Sequence, residues 1–208
     1  MKPILLLAIL ALLALGFSSC VTAQGEIQTG RKELLYGDPN AAVVHFQNAA
    51  AARPDTVHFS LLPQSAWTYV GRAYYETGRL PEARQALERG VARSSDDSLA
   101  RLYLGLTLAR EGDRPGGLKN IESGLIGIND WLDWLERSQP FTLGIYWDPR
   151  KEIRGEIRTQ LAMIGPSMNW PQLIAGGEWV GRQMEEEIDR ARFDERQEWR
   201  LEGEGKQP

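Results

Sequence analysis

The clearest pattern of apolar positions lies near the middle of the chain, in residues 64–97. Apolar and small side chains recur there at spacings of three, four and seven residues, which is the spacing of one face of an α-helix. The first stripe consists of Trp67, Val70, Gly71 and Tyr74. The second stripe consists of Ala83, Leu87 and Val91. Because Gly78 separates the two stripes, the pattern predicts two antiparallel helices packed as a hairpin.

The same arrangement occurs three times along the chain. The glycines at matching places of the three copies are Gly30, Gly71 and Gly105, each followed seven residues later by Gly37, Gly78 and Gly112. The second and third copies are 34 residues apart, whereas the first and second are 41 apart because of extra residues in the stretch 53–63. A hairpin of this kind cannot bury its apolar face alone, so stacked hairpins are expected.

This register resembles the tetratricopeptide repeat, whose period is 34 residues. The middle copy carries the resemblance best, through Trp67, Val70, Gly71, Tyr74, Gly78, Ala83, Leu87 and Gly90. The departures from the family pattern are Glu26 and Glu33 in the first copy and Arg101 and Gly117 in the third. The resemblance implies an all-α, right-handed solenoid of three helical hairpins, over residues 24–56, 64–97 and 98–129. It also implies a protein-binding scaffold and not an enzyme, and it names no partner.

Residues 130–200 are predicted to form a Trp-rich helical C-terminal extension, because six of the seven tryptophans lie from Trp131 onward. Trp131, Trp134 and Leu135 share one face of a short helix. Asp148 and Pro149 suit the start of a second helix, with a stripe at Ile153, Ile157 and Leu161.

A third helix of the extension begins near Trp170, with a seam at Leu173, Gly177, Val180, Met184, Ile188 and Ala191. The charged run beside that seam is predicted to face solvent as a polar cap of the solenoid, at Glu185, Glu186, Glu187, Arg190, Arg192 and Arg196. A favourable pair at spacing four joins Glu186 to Arg190 in this prediction. Residues 201–208 are predicted to be a flexible tail.

The start of the chain has the pattern of an export signal. An apolar run from Ile4 to Leu15 is too short to span a bilayer comfortably and has the length of a signal-peptide core. The tetrad Phe17-Ser18-Ser19-Cys20 behind it resembles a bacterial lipobox, with phenylalanine in place of the usual leucine. The resemblance implies that residues 1–19 are a signal peptide and that Cys20 is diacylated and inserted into the lipid bilayer.

Two features near the cleavage site bear on where the mature protein resides. Val21 after the cysteine resembles the sorting pattern of outer-membrane lipoproteins, so we expect an outer-membrane protein that faces the periplasm. The segment Val21-Thr22-Ala23 has the spacing that ordinary signal peptidase cuts after, which leaves a soluble periplasmic protein cleaved behind Ala23 as the alternative. Cys20 is the only cysteine, so the mature chain has no internal disulfide.

Composition and motifs argue against most kinds of chemistry. The chain has 24 basic and 28 acidic residues, which gives no basic field for nucleic acid. Its two histidines, His45 and His58, lack metal-ligand spacing, so neither a metal nor another cofactor is expected. Asp130 and Asp133 beside tryptophans resemble a glycan-cleaving pair, but solvated helix carboxylates account for them equally well. An enzyme is therefore not expected.

The third repeat gives the best clue to a binding surface. Leu99, Leu102 and Leu106 lie on the side of their helix opposite the packing stripe, and a helix that is apolar all round is buried all round. In the tetratricopeptide repeat this side faces the concave groove. Arg31 and Arg72 occupy the corresponding positions of the other first helices, with Tyr75 and Arg110 nearby. Arginines at these positions suit the carboxylates of a peptide partner, and exposed charged residues without a partner are the alternative.

Two occupants of this surface remain open at the level of sequence. One is an envelope protein or peptide, and the other is the chain's own extension, which has Trp131, Trp134, Phe141 and Trp147 to cover the leucines. We therefore predict an envelope-anchored scaffold that binds a protein partner through the groove. The alternative is a glycan- or peptidoglycan-binding protein that uses exposed tryptophan rings of the extension.

Overall fold

The computed structural model describes residues 22–54, 62–139 and 143–204. Within these ranges the chain forms nine helices, so the all-α fold expected from the sequence is confirmed. The predicted signal peptide, Cys20, His58, Phe141 and the end of the predicted tail lie outside the described residues. No helix in the described part of the chain is both long enough and apolar enough to cross a bilayer.

Six helices form three consecutive hairpins. Helices α1 (Ala23–Tyr36) and α2 (Pro39–Ala52) form the first, α3 (Ala66–Glu76) and α4 (Leu80–Arg93) the second, and α5 (Ser98–Glu111) and α6 (Arg114–Ser138) the third. Side chains before most of these helices accept hydrogen bonds from amides of the first turn, as at Asp38, Ser65 and Asp97. Gly78 and Gly112 end α3 and α5 with positive φ angles of 73° and 97°, which favour glycine.

Small residues lie where the two helices of a hairpin touch. A Cβ added at Gly105 would lie 2.7 Å from the carbonyl oxygen of Gly117 and still closer to the amide nitrogen of Ile121. At Gly71 the added atom would overlap the side chain of Leu87. The repeated glycines therefore set the distance between paired helices.

We expect Gly105→Ala to destabilise the protein by about 1–3 kcal/mol, because the new methyl group meets the α6 backbone, which cannot move aside as a side chain can. Gly155→Ala is the matched control, since Gly155 also lies inside a helix but has no neighbour within 4 Å of an added Cβ. That control should gain up to about 1 kcal/mol from helix propensity. Thermal melting of both variants measures the difference, and equal melting temperatures would contradict the packing described.

The extension does not begin with a separate short helix. Helix α6 is 25 residues long and runs through residues 129 and 130 without a break, so Trp131 and Trp134 belong to the last repeat helix. Two further elements follow, α7 (Leu143–Tyr146) and α8 (Glu152–Met163). The apolar pattern does not distinguish one long helix from two consecutive helices, because in either case the apolar residues fall on one face.

The second helix of the extension starts later than the sequence predicts. Helix α8 begins at Glu152, and Asp148 and Lys151 before it have positive φ angles of 49° and 56°. The Asp148 carboxylate nevertheless caps the helix, because it accepts hydrogen bonds from the amides of Ile153 at 3.0 Å and Arg154 at 3.1 Å. Asp148 lies in a strained turn ahead of α8, and its side chain caps the helix although the residue is not adjacent to the first helical turn.

The last helix, α9 (Trp170–Glu204), is 35 residues long and fills the space between the repeats and α8. Its predicted seam is buried as expected, at Leu173, Gly177, Val180, Met184, Ile188 and Ala191. The prediction that its charged run faces solvent is wrong for two members, because Glu185 and Glu187 are only 0% and 1% exposed. The predicted pair of Glu186 with Arg190 is replaced by pairs of Glu186 with Arg182 and of Glu187 with Arg190.

Candidate functional site

The first helices of the three hairpins line one side of the repeats, which we call the groove. All seven residues predicted to contact a partner lie along it: Arg31 on α1, Arg72 and Tyr75 on α3, and Leu99, Leu102, Leu106 and Arg110 on α5. Six of the seven lie against α9 of the same chain, namely Arg31, Arg72, Tyr75, Leu102, Leu106 and Arg110. Leu99 is buried as well, and of the seven only Arg110 is exposed. The groove is thus occupied along much of its length by the protein's own last helix.

One carboxylate of α9 lies between two groove arginines. Glu185 accepts a hydrogen bond from Arg31 Nε at 2.6 Å through one carboxylate oxygen and from Arg72 Nη1 at 2.5 Å through the other. Gln64 Nε2 donates to the same carboxylate at 3.2 Å. Arg31 also donates to the carbonyl oxygen of Glu185 at 3.0 Å and pairs with Asp189 at 3.0 Å. The two arginines therefore bind both the side chain and the backbone of α9.

The charges of this cluster depend on one another. Burial alone would raise the pKa of Glu185, but the guanidinium groups of Arg72 and Arg31 outweigh it and hold that pKa at about 2. Burial alone would lower the pKa of each arginine, and Glu185 instead raises it well above the usual value. Since all three groups are at most 3% exposed, the cluster is a buried ion triad.

An apolar floor lies beside the triad. Leu99, Leu102 and Leu106 are completely buried. Gly177 of α9 lies against this floor, where an added Cβ would be 3.0 Å from Leu106 and 3.4 Å from Leu102. One turn further along, Gly181 lies against the ring of Tyr103. The Arg72 guanidinium also stacks on this ring, with its central carbon 4.8 Å from the ring centre. Glycine at these two places lets α9 approach α5 closely.

The cover over Leu102 and Leu106 is α9, which belongs to the predicted extension, so the extension folds back over these leucines as the sequence predicts. Trp131 and Trp147 pack against each other edge to face at 4.8 Å, and Trp134 is 53% exposed. Apolar character alone indicates the tryptophans as the cover of the leucines. Helix α9 instead covers them through small residues, which allow close approach of the two helices.

The far edge of the groove is polar. Tyr75 donates a hydrogen bond to Glu178 of α9 at 2.5 Å, and the Arg110 guanidinium lies 4.7 Å from the centre of the Tyr75 ring. Burial and the Glu178 carboxylate raise the pKa of Tyr75 above its usual range, so its hydroxyl remains a donor. This contact fixes α9 to α3 and α5 one helical turn away from the floor.

Part of the groove stays open beside α9. A cavity of about 250 Å³ lies there, lined by Leu34, Leu35, Arg72, Glu76, Tyr103, Glu178, Trp179 and Arg182. Trp179 is 38% exposed, and Arg182 is exposed beside it. We call this cavity the open groove. Its walls combine an aromatic ring and two leucines with charges of both signs, which suits an apolar side chain of a peptide flanked by polar groups.

Sequence reasoning missed Glu185, the residue on which the groove arginines converge. A signal for it exists, since Gly177, Gly181 and Glu185 follow one another at spacings of four and so form one ridge of α9. A ridge that begins with two glycines indicates close approach of another helix, which also buries the third member. The residues described include no group of three or more histidine, cysteine or acidic side chains that could hold a metal ion.

Comparison with known proteins agrees with the repeat pattern. A family profile described as tetratricopeptide repeat matches residues 33–105, which span the end of α1, all of α2 to α4 and the first half of α5. No curated protein and no solved structure matches this chain. Beyond the matched residues, the role of the groove must therefore be argued from its own geometry.

Proposed function

We propose that this chain is an envelope-anchored scaffold that binds a protein or peptide partner. It is a tetratricopeptide repeat protein, with its matched repeats at residues 33–105, and such repeats generally mediate protein–protein interaction. The observation that carries the proposal is the groove itself. Its repeats already hold one helix, through two arginines on a carboxylate and an apolar floor. These are the contacts that recognition of a peptide requires.

The partner segment binds in the open groove, beside α9. Displacement of α9 is not required, and it would be costly, because the helix buries its apolar seam and the ion triad at once. The open groove offers Trp179 and Leu34 as an apolar anchor site and Arg182 as a charge at its rim. An apolar or aromatic side chain that precedes an acidic residue matches this arrangement.

The location is part of the same proposal. Acylation of Cys20 places the scaffold on the periplasmic face of the outer membrane, and two or three acyl chains anchor a protein stably without a membrane-spanning helix. Cleavage behind Ala23 gives a soluble periplasmic protein as the alternative. In either location, the partner is another protein or peptide of the cell envelope.

Site-specific photo-crosslinking in intact cells tests the proposal. We expect a photoreactive phenylalanine analogue at position 179 to give a discrete protein adduct, because Trp179 lines the open groove and is 38% exposed. The same analogue at Lys119 is the matched control, since Lys119 is exposed on α6, away from the groove. Arg182→Glu should weaken the adduct at position 179, because it reverses the charge at the rim.

Fractionation of the same cells tests the anchor. Cys20→Ala should move the protein from the membrane fraction to the soluble fraction, because it removes the acylated residue. Equal adducts at positions 179 and 119, or no adduct at either, would contradict the binding site. Unchanged membrane association of the Cys20→Ala protein would contradict the lipid anchor alone.

A further inference from the structure

A second cavity, of about 770 Å³, lies where the start of α5 faces the second half of α6. It shares no lining residue with the open groove. Its walls are formed by Pro63, Ser95, Asp96, Ser98, Arg101, Ser123, Ile126, Gly127, Trp131 and Trp134. We call it the Trp134 pocket. Its volume lies within the range of about 300–1,000 Å³ that is typical of sites for small molecules.

One wall of the Trp134 pocket is a flat apolar platform. Trp134 is 53% exposed and Ile126 is 44% exposed, although both side chains are large and apolar. Trp131 beside them is held from behind by the buried ring of Trp147, at 4.8 Å and nearly perpendicular. Because about half of Trp134 remains accessible in a concave site, its ring offers an aromatic surface on which a ligand can stack.

The facing wall of the Trp134 pocket is polar and held in place. Arg101 donates from Nε and Nη2 to the carbonyl oxygen of Ser95, both at 3.3 Å, which orients the guanidinium. The Ser95 hydroxyl donates to the Asp96 carboxylate at 3.1 Å, and a carboxylate accepts several further hydrogen bonds. Ser123 adds a hydroxyl on the α6 side of the pocket, next to the platform. Donors and acceptors therefore stand together, and the charges of Asp96 and Arg101 balance.

Gly127 gives the pocket its depth. A Cβ added there would overlap the Ser98 hydroxyl, so a larger residue would push α6 away from the start of α5. Glycine at this place keeps the polar wall and the tryptophan platform on opposite sides of one concave site. The platform and the polar wall can thus contact one ligand at the same time.

We infer that the Trp134 pocket binds a saccharide, in particular an oligosaccharide of N-acetylated hexosamines. A sugar ring has one apolar face of C–H groups, which stacks on an aromatic ring, and a rim of hydroxyls that both donate and accept hydrogen bonds. Trp134 matches the face, and Asp96, Arg101 and the serine hydroxyls match the rim. An acetamido methyl group would find an apolar contact at Ile126, which lines the same pocket and is 44% exposed. A helical peptide partner would instead require a continuous apolar groove.

Titration with the N-acetylglucosamine trimer chitotriose tests this inference on the full-length mature protein. We expect a saturable change in tryptophan fluorescence and a matching heat of binding in calorimetry. Trp134→Ala should weaken the affinity at least about tenfold. Because its side chain is half exposed, the variant should keep the wild-type melting temperature. Trp179→Ala is the matched control, since it removes an exposed tryptophan from the other cavity and should leave the affinity unchanged.

A second variant separates the polar wall from the platform. Asp96→Ala removes an exposed acceptor without touching the tryptophans and should also weaken binding of chitotriose. The glucose trimer cellotriose, which lacks acetamido groups, should bind more weakly than chitotriose. The inference would be overturned if neither sugar binds, if Trp134→Ala leaves the affinity unchanged, or if a proline-rich peptide binds in place of chitotriose. Because the two cavities are separate, none of these outcomes bears on the crosslink at position 179.

Discussion

A chain that ends at Met168 is expected to lose its soluble, cooperatively folded state. Without α9, the completely buried Leu102 and Leu106, which lie against Gly177, would face water, and Arg31 and Arg72 would lose their carboxylate. The seam of α9 would be lost as well. At about 1.5–3 kcal/mol for each large apolar side chain, the loss reaches roughly 10 kcal/mol or more, which equals the whole net stability of a typical domain.

Gel filtration, dye binding and circular dichroism measure this result. The shortened chain should aggregate or bind a dye specific for exposed apolar surface, and it should melt without a sharp transition. A chain that ends at Phe193 is the matched control, because it keeps every buried residue of α9 described here and Phe193 itself is 55% exposed. Its melting temperature should stay close to that of the full chain. A soluble, monomeric and equally stable chain ending at Met168 would show that α9 is not part of the core.

The sequence predicts the hairpins well, because each repeat carries its own local information. Glycine and alanine at fixed places and apolar residues at spacings of three and four determine which faces meet, and neighbouring hairpins are adjacent in the chain. The buried seam of α9 follows from the same periodicity. In the middle hairpin, most residues of the two predicted stripes are buried, and Trp67 and Val91 are partly buried.

The arrangement of the extension requires information that periodicity lacks. Glu185 lies between Arg31 and Arg72 of the first two repeats, although 154 and 113 residues separate it from them along the chain. A glutamate in a charged run is usually solvated, so burial of Glu185 follows only once its arginine partners are known to lie opposite. The same holds for Glu187, which accepts a hydrogen bond from the Asp148 amide at 2.9 Å.

A glycan binder requires exposed tryptophan rings in the extension, whereas a protein scaffold is expected to bury most of them. The structure divides them, because Trp147 is buried while Trp134 and Trp179 are exposed in two separate cavities. The two functions therefore do not exclude each other. A peptide in the open groove and a saccharide in the Trp134 pocket would contact different residues, since the two cavities share no lining residue.

The stability of the wild-type protein should depend on pH through two buried carboxyl groups whose pKa values are shifted in opposite directions. The pKa of Glu185 is about 2, below its ordinary 4.5, so its contribution is present above about pH 4.5 and is lost as the pH falls towards 2. Burial raises the pKa of Asp97 from 3.8 to about 6, so its contribution is fully present below about pH 3.8 and is lost as the pH rises from there to 6. Stability should therefore be greatest at about pH 4, where the two effects balance, and should decline on both sides.

Replacement of Glu185 by alanine is expected to cost about 3–5 kcal/mol, because it removes the buried carboxylate that the Arg31 and Arg72 guanidinium groups share while both guanidinium groups stay buried. Urea unfolding at pH 7 measures the loss. Glu186→Ala is the matched control on the next residue, where the carboxylate pairs with an exposed arginine at 3.1 Å and should contribute at most about 1 kcal/mol.

Replacement of the whole triad distinguishes an unpaired charge from lost packing. The cost of Glu185→Ala is expected to come from the two guanidinium groups that lose their shared carboxylate. In that case, Glu185→Leu combined with Arg31→Met and Arg72→Met should recover most of the stability, since apolar residues of similar volume replace buried ion pairs at little cost. The triple variant should also lose the decline in stability below about pH 4, because no carboxylate remains there to be protonated. A triple variant as unstable as Glu185→Ala would show instead that α9 depends on the shape of the ion triad and that its charge is secondary.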